Sequence, residues 1–251
     1  MRRVNNFIRV VFVAVLLLIS ASAIAREKTG TKTGFTLQPG TAQIILMRPN
    51  ISVGEQSTGG MFEPNADWTA QARKNIEGEL AAIHGGLGNE VIHYEESLGA
   101  NDPSVDQYSK LFGVIARSVL EYQFFKGNRL PTKKRDIDDF DLGVGPGLAE
   151  IRSLEGADYL LYVYTHDEYG SVGRKALQIG GLLAGFPIKS GVHVGYAGLI
   201  DLKTGQLVWL NSDLEMGGDV RTEEGAQKRV RQLLEGFPGR PDADGKVADA
   251  S

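Results

Sequence analysis

Strands alternating with amphipathic helices in the first half of the chain, then a strand pair closed by a short turn, predict an α/β (α+β) fold. The arrangement expected is a mixed sheet of about five strands packed by helices, in a single domain over residues 42–237. Parallel pairing is implied where a helix separates two strands, and antiparallel pairing where only a turn does. No internal repeat interrupts this order.

The elements follow in sequence. Ala42 to Arg48 (AQIILMR) is a compact apolar run stopped by Pro49 and reads as a buried strand. Asn50 to Asn65, with Gly54, Gly59, Gly60 and Pro64, reads as a long loop; Met61 and Phe62 near its end read as cover for the core, with a binding edge as the alternative. Trp68, Ala72, Ile76, Leu80 and Ile83 recur at helical spacing, with Asn65 or Asp67 as cap and Gly85-Gly86 as stop. Glu90 to Glu96 reads as a second strand. Asp102-Pro103 opens a longer helix whose stripe is Tyr108, Leu111, Phe112, Ile115, Val119 and Tyr122. Gly127 to Asp141 is charged and loop-like. A short helix over 147–154 precedes Asp158 to Thr165 (DYLLYVYT), the most strand-like run. Val192–Ile200 and Leu207–Met216 form a hairpin around Asp201–Gly205. The last helix starts at Thr222, carries Glu223 and Glu224 in its positive first turn and buries Ala226, Val230, Leu233 and Phe237. Residues 26–41 read as a flexible leader and 238–251 as a disordered tail.

The first 25 residues have the layout of a secretory signal peptide. A basic start (Arg2, Arg3, Arg9) precedes an apolar run from Val10 to Ile19, then small residues ending at Ala23 and Ala25. An apolar core of this length is short of the roughly 20 residues that span a bilayer. Cleavage after Ala25 is expected, with no cysteine for lipid attachment and a periplasmic destination.

Overall composition is globular: 42% of the 251 residues are hydrophobic and 23% charged, at a net charge of −4. Beyond the first 25 residues the balance is 24 basic to 31 acidic residues, net −7. This acidic balance argues against nucleic acid as a partner, because phosphate binding needs concentrated Lys and Arg.

Searching for chemistry returns little. There is no cysteine, no G-x-S-x-G elbow, no Walker loop and no H-E-x-x-H pair. The histidines (His84, His93, His166, His193) fall on four different elements, so no metal site or cofactor is assigned. Gly143–Gly147 (GVGPG) lacks a preceding strand, and Pro146 removes a backbone donor, so it reads as a lead into a helix. Glu95-Glu96 and Asp138-Asp139 read as solvated surface. His166-Asp167-Glu168, just past a strand end, is the best acid/base constellation present.

One segment fits no element. Ser171 to Ser190 contains a ten-residue run, Ile179–Ile188, of apolar residues, Gly and Pro only. Gly180, Gly181 and Gly185 each weaken a helix by roughly 1 kcal/mol relative to Ala. Two readings are open: a crossover tucked against the sheet, or an exposed apolar flap that docks on a partner or makes peripheral membrane contact.

Gly156-Ala157-Asp158-Tyr159-Leu160 entering a strand, followed by a strand, an Asp201-Leu202-Lys203-Thr204-Gly205 turn and a strand bearing Trp209, resembles a recurrent envelope pattern. It is similar to the curli-secretion lipoprotein CsgG, the penicillin-binding-protein activator LpoB and the amino-terminal domain of TolB. Gly173-Arg174-Lys175-Ala176, the DLKTGQLVW turn and Gly218-Asp219-Val220-Arg221 further resemble a family of secreted bacterial envelope proteins. The chain departs from CsgG and LpoB in lacking the lipid-bearing cysteine, and from CsgG in lacking its membrane-inserting hairpins. The resemblance implies a TolB-amino-terminal-like, non-catalytic module that binds other envelope proteins, and it supplies no catalytic residues.

The expected function is therefore a periplasmic, non-enzymatic accessory or assembly protein that binds cell-envelope proteins. Arg174, Lys175, Ile179, Leu182, Leu183 and Phe186 are its partner-binding residues. The alternatives are an envelope-polymer hydrolase using Asp167 and Glu168, and a small-ligand carrier with the 50–65 loop as lid.

Overall fold

The computed structural model describes residues 28–94, 103–124 and 142–240. The signal-peptide, 127–141, Glu95-Glu96 and Asp138-Asp139 readings lie outside the described residues, as does most of the tail. In chain order the strands are β1 (Lys28–Thr31), β2 (Gln43–Leu46), β3 (Asn50–Gln56), β4 (Phe62–Pro64), β5 (Glu90–His93), β6 (Tyr159–Gly170), β7 (Val192–Asp201) and β8 (Leu207–Asp213). The α-helices are α1 (Ala66–Ala82), α2 (Pro103–Val119), α3 (Val172–Leu183) and α4 (Glu223–Leu233). Two 3₁₀ turns, Pro146–Glu150 and Arg152–Leu154, stand where one short helix is expected.

All eight strands join one mixed sheet in the order β1-β8-β7-β6-β2-β5, with β3 also on β6 and β4 on β3. The α+β class agrees with expectation; the strand count of about five does not. The three extra strands fall where glycine and polar residues disguise them. β1 lies in the residues read as a flexible leader and pairs antiparallel with β8, Lys28 opposite Ser212. It is a short, polar edge strand, which shields a sheet edge but shows no hydrophobic alternation. Leu37, also in that leader, is buried.

β3 and β4 occupy the residues read as a long loop, so the proposed lid is a hairpin of the sheet. Ile51 and Val53 alternate into the core, while Gly54 sits where a Cβ would meet the Glu63 carbonyl oxygen at 2.3 Å. Of the two residues read as core cover, Phe62 packs edge-on against His166 at 4.6 Å between ring centres, whereas Met61 is 74% exposed. β2 and β3 run parallel to β6 one after the other. Between them Leu46 faces Leu161 and Asn50 faces Tyr164, four steps against three, so one extra residue bulges at Met47–Pro49. Pro49, with no N–H for a ladder, is suited to this place.

Helices cover both faces. On one face α1 and α4 bury Ile44, Ile76, Leu161, Trp209, Val230 and Phe237. On the other α2 and the 3₁₀ turns bury Ile45, Phe112, Leu148, Leu160, Tyr196 and Ile200. Asn65 caps α1 by accepting from the Trp68 N–H, and Thr222 caps α4 through the Gly225 N–H. Of the expected α2 stripe, Phe112, Ile115 and Val119 are buried but Leu111 and Tyr122 are each 40% exposed. No helix among the described residues is long and apolar enough to cross a membrane.

Candidate docking helix

Residues 171–190 form an outward excursion between β6 and β7. Those strands pair antiparallel along their whole length, Tyr159 opposite Asp201 to Glu168 opposite Val192, so the chain needs no crossover here. The tucked-crossover reading is thus corrected: α3 contains no buried residue.

Its local structure explains how a glycine-rich sequence holds a helix. Ser171 caps the start by accepting from the Arg174 N–H at 3.1 Å. Gly185, at φ +80°, and Pro187 end it. Two of the glycines lie where the helix meets the body. A Cβ on Gly173 would strike the Thr58 hydroxyl at 2.2 Å, and one on Gly181 the Phe186 carbonyl oxygen at 2.5 Å. Glycine therefore permits close approach to the β3–β4 turn on one side and to the returning chain on the other. Arg174 is on this inward side; its Nε donates to the Lys189 carbonyl at 3.0 Å.

The opposite side is apolar and open. Val172, Ala176, Ile179 and Leu183, spaced four, three and four, share one stripe of the helix. Val172 and Leu183 are each 85% exposed and Ile179 63%. Leu182, 71% exposed, and Lys175 flank the stripe, and Phe186, 73% exposed, follows just past the helix end. The expected partner-binding set thus divides. Lys175, Ile179, Leu182, Leu183 and Phe186 are presented to solvent, whereas Arg174 braces the segment. Val172 was not among the expected residues, although its spacing to Ile179 and Leu183 carries the signal. Met61, on the turn that α3 packs against, belongs to the same end of the molecule.

The acid/base constellation is different in kind. β6 extends through His166, Asp167 and Glu168, and successive strand residues face opposite sides of the sheet. Asp167 enters the α1/α4 core and is fully buried. Its carboxylate accepts from both terminal nitrogens of Arg229 (2.7 and 2.8 Å), from the Thr165 hydroxyl (2.9 Å), and pairs with His193 Nδ1 (2.8 Å). Burial alone would raise its pKa, but the hydrogen bonds from His193, Arg229 and Thr165 and the Arg229 charge outweigh that and lower it. Glu168 lies on the other face, against His166 at 3.0 Å and Gln56 at 3.1 Å. Two carboxylates on opposite faces of one strand cannot flank one scissile bond, so the geometry required by the hydrolase alternative is missing.

Arg229 itself, fully buried, escaped the sequence reading. It falls in phase with Ala226, Val230 and Leu233, and a cation on an apolar stripe calls for a buried anion. Beside this pair, Arg221 is sandwiched between the rings of Trp68 (4.5 Å) and Tyr169 (3.7 Å) and forks onto Asp219 at 2.9 and 2.7 Å. Those bonds hold the Asp219 pKa down to about 2. Trp68 thus supports a buried-edge cation as well as the core.

No protein-family model and no curated protein matches this chain. Among solved structures it is similar to the PelC dodecamer from Paraburkholderia phytofirmans, at 14% identity and a TM-score of 0.36 over 85% of this chain and 97% of that one. It is also similar to lipoprotein GNA1162 from Neisseria meningitidis, at 17% identity and a TM-score of 0.27 over 68% of this chain and 79% of that one. Likenesses this loose carry no site residue from either protein onto this chain.

Proposed function

We propose that the protein is a non-enzymatic, periplasmic accessory or assembly factor that binds another cell-envelope protein through α3. The observation that carries this reading is the helix whose apolar stripe faces away from its own core. Side chains such as Ile179, Leu183 and Phe186 each gain about 1.5–3 kcal/mol when taken out of water, and the fold leaves that gain unused. A stripe at four, three and four residues is the pattern by which an amphipathic helix seats in an apolar groove. Residues 171–190 include Arg174, Lys175 and Lys189 and no acidic residue, so an acidic rim around that groove suits the exposed Lys175. Periplasmic placement is supported by the Arg2–Ala25 layout.

In-cell crosslinking of the tagged full chain, with mass spectrometry of the captured species, tests the reading. A specific envelope protein should be recovered, and recovery should vanish in the Leu183→Ser/Phe186→Ser variant while the melting temperature holds. Capture that persists in that variant, or recovery on lipid vesicles with no protein partner, refutes it.

A further inference from the structure

His193 stands opposite Asp167 across the β6–β7 ladder, on the same face of the sheet. Its Nδ1 meets the Asp167 carboxylate at 2.8 Å, and its ring lies 5.0 Å from that of Tyr169. Asp167 is satisfied without this bond, since Arg229 and Thr165 already donate three. What the bond fixes is the imidazole. A carboxylate held ionised by its partners can only accept, so Nδ1 carries the proton of the neutral ring and Nε2 is left as an acceptor. Nε2 has no hydrogen-bond partner among the described residues, and the side chain is 31% exposed.

The same histidine forms part of the wall of a cleft of about 300 Å³, between Gln178 of α3, the returning chain from Lys189 and residues Leu214–Met216. The Nδ1 edge is turned inward to Asp167, so the Nε2 edge is the one the cleft receives. The Met216 N–H donates to the His193 carbonyl at 2.8 Å, which seats the third wall beside the ring. Gly191 has φ +93°, and a Cβ there would stand 3.1 Å from Nε2, so glycine at this place leaves the nitrogen uncovered. Val192, Leu214 and Met216 supply apolar walls, and the cation at the edge, Lys189, is paired with Glu215 at 2.6 Å. Apolar walls around one fixed acceptor suit an apolar body that ends in a single donor. Gln178 neighbours Lys175 and Leu182 on the helix surface, three and four residues away, so a partner covering that flank of α3 reaches the mouth of the cleft.

We propose that the partner docked on α3 anchors a tyrosine side chain in this cleft, its phenol O–H donating to His193 Nε2. This rests on the docking reading above and adds the chemistry that is recognised. A phenylalanine ring would strip water from Nε2 and leave it unpaired. A lysine would bring a second ammonium beside Lys189, and a serine hydroxyl has no body to fill the apolar walls. Tyrosine brings ring and donor together with few rotamers to lose, as interface anchors commonly do.

NMR titration of the full chain with N-acetyltyrosinamide and N-acetylphenylalaninamide, at about pH 8 to keep imidazole neutral, tests the cleft without the partner. The tyrosine analogue should bind saturably at millimolar concentration and shift the His193 ring resonances. The phenylalanine analogue lacks only the hydroxyl and should bind about fivefold more weakly, the loss of one hydrogen bond. His193→Asn keeps a donor toward Asp167 and removes the Nε2 acceptor, so it should erase the difference between the analogues while the melting temperature holds. Gln178→Trp, at an exposed position of α3, should obstruct both analogues. No saturable binding, equal binding of the two analogues, a hydroxyl preference that survives His193→Asn, or binding unchanged in Gln178→Trp overturns the proposal. Partner capture in cells should fall in His193→Asn, and undiminished capture overturns it as well. Leu183→Ser/Phe186→Ser should abolish capture and leave analogue binding intact. Analogue binding with no capture by the unaltered chain would refute docking through α3 while upholding hydroxyl recognition in the cleft, so the two failures are told apart.

Discussion

α4 and α3 are helices of similar length with opposite relations to water. α4 carries Arg229 with no solvent exposure, inside a core of Trp209, Val230 and Phe237. α3 carries Ile179, Leu182 and Leu183 on its exposed surface. Residue polarity alone therefore does not say which helix is structural. Arg229 is satisfied: Asp167 accepts from its two terminal nitrogens, and the Gly217 and Gly218 carbonyls accept two further bonds at 3.2 Å. A fully bonded buried ion pair is a strut, and its polar groups are spent on the fold. The α3 stripe has no counterpart within the described chain, and unmatched apolar surface is what a partner can use.

The largest effect is expected at Asp167. Asp167→Ala leaves Arg229 buried without its counter-charge and should cost about 3–5 kcal/mol, read as a lower urea midpoint at unchanged slope. A loss below about 1 kcal/mol would mean that Arg229 reaches water and is no strut. Replacing the pair together, Asp167→Leu with Arg229→Met, should recover most of that loss, because removing both charges leaves no uncompensated ion. If the double variant is as unstable as the single one, the pair contributes geometry that apolar packing cannot replace.

A smaller effect is expected on acidification. The carboxyls of Asp167 and Asp219 both titrate below the ordinary carboxylate range in the folded protein, Asp219 at about 2. Their contribution is fully present above the unfolded carboxylate pKa of about 3.9 and is lost as the pH falls toward the folded values. The melting temperature should therefore drop between about pH 4 and pH 2, and Asp219→Asn should remove part of that slope. A flat profile across this range would show that neither carboxylate is held by its partners. Least affected should be α3: Leu183→Ser/Phe186→Ser is expected to change stability by no more than about 0.5 kcal/mol, measured by denaturant unfolding, as suits side chains in water on both sides of the transition. A loss of several kcal/mol would place the stripe in the core and end its contrast with α4.

Much of the frame was legible from local pattern. Ile44, Leu160, Val208 and their neighbours lie in short apolar runs, and Ala72, Ile76 and Leu80 recur with the helical period. Asn65, Thr222 and Ser171 are capping residues ahead of helices, although the last was not read as one. What escaped has a common physical character. β1 and β3 are held by ladder bonds to β8 and β6, which any backbone can make, so Gly30 and Gly54 gave no warning of a strand. β6 runs on past Thr165 because Asp167 finds Arg229 some sixty residues later, a match that no window along the chain contains.

The α+β class, the alternation of helix and strand and the unusual apolar character of residues 171–190 follow from local pattern, because they depend on side-chain period and on turn-forming residues close in the chain. That Asp167 and Glu168 face opposite sides of a sheet, that Arg229 belongs inside, and that α3 turns Leu182 and Leu183 outward emerge only from long-range packing. Each of those outcomes is set by which distant group fills the space beside a side chain, and burial is a property of that neighbourhood rather than of the residue.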